Sequence, residues 1–184
     1  RRPLTTVALF LMHKFDLVSR LHLDEEKLEA FILTVEDGYS KKTPFHNALH
    51  AADVVMRMGA LLTMAARGSI LTSDTSRLAS LLAAIVVDYQ HTGRTNAFHV
   101  NAADSIARQF NDQHVLENMS LMRSLDLLEV PRLDFIRNAK MKPEAKRKIR
   151  SLVIDMVLAT DMSSHFEIMS KFKSKVMCKG VDMS

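Results

Sequence analysis

A single cysteine, Cys178, in 184 residues leaves no partner for an intrachain disulfide, which fits a reducing, intracellular and cytoplasmic setting. No apolar run approaches the roughly 20 residues that cross a bilayer as a helix. The longest, residues 81–87, is broken at once by Asp88, so no membrane span is expected in this segment. An apolar stretch near the start, residues 7–12, follows Arg1 and Arg2 but is too short for a signal sequence. It runs into His13 and Lys14 and has no small-residue cleavage site. Nothing alternates with a period of two for long enough to make a strand. Internal repeats, low-complexity tracts and flexible linkers are also missing, so no domain boundary is read within residues 1–184. A strong charge of one sign is absent too: the formal net charge is +4 and the pI about 9.3. The one concentrated basic run (Lys140, Lys142, Lys146, Arg147, Lys148, Arg150) reads as a solvated helix start, and no nucleic-acid partner is expected. The chain opens without Met and is read as part of a longer one.

What is present is helical periodicity on a composition that is 47% hydrophobic, enough for a core. Leu28, Phe31, Ile32 and Val35 recur at helical spacing after Asp24, a good N-cap, and Gly38 supplies a stop. Thr43-Pro44 is a second start signal, opening a helix to about Gly68 with Val54, Met58, Leu61 and Leu62 facing inward. Thr72, Ser73 and Asp74 offer caps for a helix carrying Leu78, Leu81, Leu82 and Ile85. Lys142-Pro143 opens another, burying Ile149, Leu152, Val153, Met156 and Val157. Met119, Met122, Met156, Met162 and Met169 sit at helical spacings and read as core filler. The fold class is all-α.

Three places on these helices carry chemistry. In Phe45-His46-Asn47-Ala48-Leu49-His50-Ala51-Ala52-Asp53-Val54 two histidines stand four apart, on one face of the expected helix. One imidazole can then bind a metal while the other moves protons. In Val87-Asp88-Tyr89-Gln90-His91-Thr92-Gly93 an apolar helix ends in a carboxylate followed by a histidine and a glycine turn. A buried ionised carboxylate there calls for a cation or donors. In Leu158-Ala159-Thr160-Asp161-Met162 another carboxylate interrupts an apolar face. Each feature alone fits an ordinary half-exposed polar residue. Together they make a mixed nitrogen and oxygen donor set of the kind that holds divalent metals.

At this point the chain resembles the class I 3′,5′-cyclic-nucleotide phosphodiesterases. Residues 46–54 resemble that family's HNxxHAADV signature, and Val35-Glu36-Asp37-Gly38-Tyr39 the lead-in to it. Residues 88–98 resemble HDxxHPGxxNxF, Val115-Leu116-Glu117-Asn118 the LEN motif, and residues 158–166 LATDMxxHF. The resemblance implies a multi-helix, HD-type phosphodiesterase domain, C-terminally truncated, acting on cAMP or cGMP as substrate and releasing a nucleoside 5′-monophosphate. By the same resemblance, His46 is the general acid. His50, Asp88 and Asp161 are ligands of a zinc-like ion, and Asp88 also reaches a second ion, magnesium or manganese. His91, Asn96 and Glu117 orient water or the acid.

Three departures from the family pattern stand out. Its His-Asp pair is Val87-Asp88 here, so one imidazole ligand is missing, and His91 is not expected to replace it. Met119 and Ser120 follow the LEN motif where two histidines are common, removing polar partners from the neighbourhood of Glu117. The chain stops at Ser184, before the segment expected to read the purine, so cAMP and cGMP are not told apart. Val87 and the truncation favour one alternative, a catalytically impaired relative acting as a binding or regulatory module. A general phosphohydrolase of the wider HD group is disfavoured by the HNxxHAADV and LATDM motifs.

Overall fold

The computed structural model describes residues 2–67 and 73–178, and among them every regular element is helical. In order these are α1 (Pro3–Lys14), α2 (Leu17–Leu21), α3 (Glu25–Gly38), α4 (Ala48–Arg67) and α5 (Asp74–Val86). Then follow α6 (Asn96–Ala102), α7 (Ser105–Gln109), α8 (Val115–Asp126), α9 (Pro143–Leu158) and α10 (His165–Cys178). Two single 3₁₀ turns, Leu127–Glu129 and Met162–Ser164, close α8 and precede α10.

The core is built around α5, whose residues from Leu78 through Val86 are all buried. A helix apolar on every side must be surrounded, and α9 and α4 pack most extensively on it while α1, α2, α3 and α8 meet it over smaller areas. Each fully buried leucine or isoleucine of this set contributes about 1.5–3 kcal/mol of burial. Ser73 starts α5 by accepting from the Ser76 N–H, as Asp24 starts α3 by accepting from Lys27. Thr72 and Gly68 lie outside the described residues.

α1 lies on α4 and α3. Its first turn is held by the buried Glu36, whose carboxylate accepts from the backbone N–H groups of Leu4 at 3.2 Å and Thr5 at 3.1 Å. A carboxylate at a helix N-terminus satisfies donors that have no partner within the helix. The neighbouring Asp37 pairs with Arg2. Gly59 allows α1 close to α4, because a Cβ there would lie 2.6 Å from Leu11.

Three expectations are corrected by the fold. α4 starts at Ala48, leaving His46 in the preceding loop. The Asn47 side chain takes the cap, its Oδ1 accepting from Leu49 N at 3.0 Å and His50 N at 3.2 Å. An asparagine in reach of the first free N–H groups outcompetes the upstream Thr-Pro pair. Leu61 faces outward rather than into the core, while Val54 and Met58 are half-buried and Leu62 is buried. Met119 is core, as read, and Met156 packs on its edge, but Met162 and Met169 are exposed. They belong to the α10 region, which packs mainly on the adjacent 3₁₀ turn.

The basic run beginning α9 is solvated, with Arg147 paired to Glu144 and Lys146 donating to the Arg137 carbonyl. Among the described residues, 48–65 of α4 are long and apolar enough to span a membrane by length and composition alone, a test that a core helix also passes. That stretch carries Asp53 and Arg57 and packs Ala51, Ala52, Val55 and Leu62 into the core.

Candidate active site

The ends of α3 and α5 are tied together just before the chain reaches Asp88. Tyr39 donates its hydroxyl to the Ile85 carbonyl at 2.9 Å. Burial first, and then the nearby Asp88 carboxylate, push this phenol above its ordinary pKa, so it remains a neutral donor. Tyr89 packs edge-on to Tyr39 with ring centroids 6.3 Å apart, directly against Gly38, where a Cβ would lie 2.2 Å from the Tyr89 ring. After Val86 the chain turns tightly: Tyr89 N donates to Val86 O, and His91 N to Asp88 O, both at 3.0 Å. Gln90 takes a positive φ of 58° within this turn. From α8, Ser120 Oγ donates to the Tyr89 carbonyl at 3.0 Å and Arg123 to the Gln90 side chain at 3.0 Å. Ser120, expected only to mark a lost histidine, thus clamps the turn that presents Asp88.

The loop before α4 brings His46 to the same place. Thr43 Oγ1 donates to the His46 carbonyl at 2.6 Å, and the His46 ring stacks on His91 with centroids 3.7 Å apart. His50, on the first turn of α4, sets its Nε2 3.4 Å from Asp88 Oδ2 and rests against Phe45. These groups open on a cavity of about 310 Å³, whose wall also includes Val87, Glu117 and Thr160. Val87 therefore occupies a position on the wall of the site itself, where the family motif has its histidine.

His46, Asp88 and His91 each offer a ligand atom, and the three atoms lie within 4.8 Å of one another. A mixed set of imidazole nitrogen and carboxylate oxygen suits a divalent cation, but the hydrogen bonding of His91 takes it out of that set and leaves His50 and Asp88 facing one another on the cavity. His91 has a fixed tautomer. Its Nδ1 accepts from Gly93 N at 3.0 Å, so the neutral ring carries its proton on Nε2 and acts there as a donor. Burial, followed by the His46 ring, holds His91 below the usual imidazole pKa.

Asp161 stands on another side and is linked to the cavity through Asn96. Asn96 Nδ2 donates to Glu117 Oε2 at 2.9 Å and to Asp161 Oδ2 at 3.4 Å, while its Oδ1 accepts from Leu116 N at 2.9 Å. One amide thereby joins the three segments that the LEN, LATDM and HDxxH motifs had singled out. The Asp161 carboxylate also accepts from His114 Nδ1 at 2.7 Å and Ser163 N at 2.8 Å. Burial raises its pKa, but the Ser163 donors and His114 outweigh it, and the net shift is downward. His114 was not singled out in the sequence. It lies 47 residues from Asp161, and no spacing rule reaches across that interval. His99 was missed likewise: it is buried between Asp104 and Thr92, at 2.6 Å and 2.8 Å.

The model of the 3′5′-cyclic nucleotide phosphodiesterase family matches residues 45–183. A mouse 3′,5′-cyclic-AMP phosphodiesterase 4C is 37% identical over 98% of this chain, which covers 26% of the mouse protein. A Drosophila melanogaster 3′,5′-cyclic-AMP phosphodiesterase, isoform F, is also 37% identical, with 27% of its length covered. The chain thus spans about a quarter of the length of these relatives. The crystal structure of the phosphodiesterase domain of the RhoPDE fusion protein from the choanoflagellate Salpingoeca rosetta superposes with a TM-score of 0.86 at 32% identity. That match covers 93% of this chain and 52% of the other. With its motifs gathered on one cavity in a matching helical frame, the chain belongs to the 3′5′-cyclic nucleotide phosphodiesterase family.

Proposed function

We propose that this chain is the metal-holding part of an enzyme that hydrolyses a 3′,5′-cyclic nucleotide to the nucleoside 5′-monophosphate. The observation that carries the reading is the convergence of His46, His50, Asp88, His91 and Glu117 on one cavity. Relatives of this chain carry the name cyclic-AMP phosphodiesterase, which makes cAMP the first substrate to try and cGMP the second. The lone Cys178 supports a cytoplasmic setting for that chemistry.

His50 and Asp88, facing one another at 3.4 Å on the cavity, would hold the first ion, zinc by its preference for mixed nitrogen and oxygen ligands, while Asp161, the third ligand the family motifs imply, would be drawn in from its place beside Asn96. Asp88 would also face a second, magnesium or manganese. Bound there, the pair would supply Lewis acidity toward the phosphate oxygens and acidify the attacking water. The protein's own groups do the rest. Water adds to phosphorus and gives up a proton to the Glu117 carboxylate, the bond from phosphorus to O3′ breaks, and His46 gives its proton to the departing 3′-oxygen. His91, protonated on Nε2 and stacked on His46, serves as a fixed donor beside it. Asn96 orients Glu117 toward the cavity, where that carboxylate can accept from water.

Val87 favours one second reading, a relative disabled at a single ligand. Hydrolysis of cAMP and cGMP, with manganese and magnesium, by this chain beside its Val87→His variant separates the two. Turnover by the unmodified chain, lost in a His46→Ala control, is the expected result. Turnover only in Val87→His would establish the second reading, and turnover in neither would sink the proposal for this segment.

A further inference from the structure

His99 is not among the residues that wall the cavity, yet both nitrogens of its buried ring are engaged. Nδ1 stands 2.6 Å from Asp104 Oδ2, and Nε2 stands 2.8 Å from Thr92 Oγ1. The direction of these bonds follows from the carboxylate end. The Ala107 N–H first, then His99, hold the Asp104 carboxyl below the ordinary carboxylate value, so it acts as an acceptor only. His99 Nδ1 must therefore donate, and in the neutral ring Nε2 must accept. The Thr92 hydroxyl gives its proton to that nitrogen, and its lone pairs accept from Arg94 N at 3.3 Å. Every donor in the series Arg94, Thr92, His99, Asp104 points toward one carboxylate, and bonds aligned in this way reinforce one another.

The carboxylate end is fixed by backbone. Asp104 Oδ1 accepts from Ile106 N and Ala107 N, both at 3.0 Å, as the cap of α7, which leaves Oδ2 to His99. The other end reaches the active site in two ways. Thr92 sits between His91 and Gly93, and the Gly93 N–H fixes the His91 ring through Nδ1. Gly93 has a φ of 80° and lies against Thr43, the residue that holds the His46 carbonyl. On α6, Asn96 and His99 stand three apart and so share a face. Anchoring His99 sets the rotation of this seven-residue helix, and with it the direction in which Asn96 meets Leu116, Glu117 and Asp161.

Packing alone does not call for an imidazole at this position. An apolar side chain would fill the space without the cost of burying polar atoms. What the ring adds is a donor and an acceptor on opposite sides of one rigid body, bridging the cap of α7 to the loop between His91 and Asn96.

We propose that His99 is a positioning residue of the hydrolysis: through Thr92 it holds the loop 91–96 so that His91 and Asn96 present their hydrogen bonds to the cavity. The effect on rate rests on the proposed function, whereas the effect on His91 is read without turnover. Imidazole nitrogen NMR of the unmodified chain should place the proton on Nδ1 of His99 and on Nε2 of His91. Thr92→Val, in an exposed loop, removes the hydroxyl and keeps the branched shape. His91 should then divide between its two tautomers, and kcat should fall by roughly tenfold with KM unchanged, because no member of the series touches substrate. Thr92→Ser keeps the hydroxyl and should restore both. A His91 tautomer that is the same in Thr92→Val overturns the proposal, with or without turnover. So does a Thr92→Ser variant that stays impaired. A lowered urea midpoint with kcat and the His91 tautomer unchanged also overturns it, since that is the mark of a role in stability alone. Absence of turnover in the unmodified chain, with His91 responding as expected, would refute the hydrolysis and uphold the anchor.

Discussion

His46 and Asp88 stand at opposite ends of one question: which groups hold metal and which move protons. Asp88 is approached by His50 at 3.4 Å and shares a tight donor cluster with His46 and His91, so its loss removes the central acceptor of the site. Asp88→Ala should therefore abolish turnover and metal retention together. His46, held in its loop by Thr43 and stacked on His91, is assigned the proton. His46→Ala should retain metal and lose turnover by roughly 10²–10⁴-fold, the usual effect of removing a general acid. Metal content by elemental analysis beside the rate decides this, and equal metal loss in the two variants would refute the division of labour. Residue types and spacing singled out His46, His50, Asp88 and Asp161; the first three line one cavity, while Asp161 stands beside it against Asn96. The roles of His114 and Ser120 were not legible there, because each acts through a hydrogen bond to a segment 47 or 31 residues away that leaves no periodic trace.

At the scale of elements, the helices with several full periods and a clear start signal, a side-chain cap for α3 and α5 and Pro143 for α9, could be read from their apolar spacing. α2, α6 and α7 could not, since five to seven residues contain too few turns to show a period. The start of α4 was misplaced because two capping signals compete within five residues and only geometry selects Asn47. The junction of α6 and α7 has a pH dependence of its own. Asp104 caps α7 by accepting from Ile106 N and Ala107 N, and pairs with His99 at 2.6 Å. The Ala107 N–H first, then His99, hold its carboxyl below the ordinary carboxylate value. Below about pH 4 the unfolded chain takes up this proton while the folded chain resists it, so stability falls as pH falls through that window. Asp104→Asn removes the differential uptake. Urea midpoints between about pH 5 and pH 3 should fall less steeply in the variant than in the unmodified chain. Parallel slopes would show that Asp104 titrates alike in both states.

For the molecule as a whole, the packed body is the set of helices gathered on α5, and its last member is α9. α10 is attached to it through the turn 159–164 and packs chiefly on the 3₁₀ turn beside it. Its apolar side chains face solvent: Phe166 is 85% exposed and Phe172 60%. Burial is what converts apolar area into stability, so α10 contributes little to the body that precedes it. Asp161, by contrast, is fixed from the other side by His114 and Asn96, upstream of α10. A chain ending at Ser164 should therefore keep its urea midpoint, with a change within about 0.5 kcal/mol, and retain any bound metal. It should also bind less of a hydrophobic dye such as ANS, because the exposed aromatics would be gone. A loss of about 2 kcal/mol or more would fall in the range of disrupted packing and would place α10 within the cooperative unit. Loss of metal without loss of stability would instead show that α10 holds the Asp161 turn in its binding geometry.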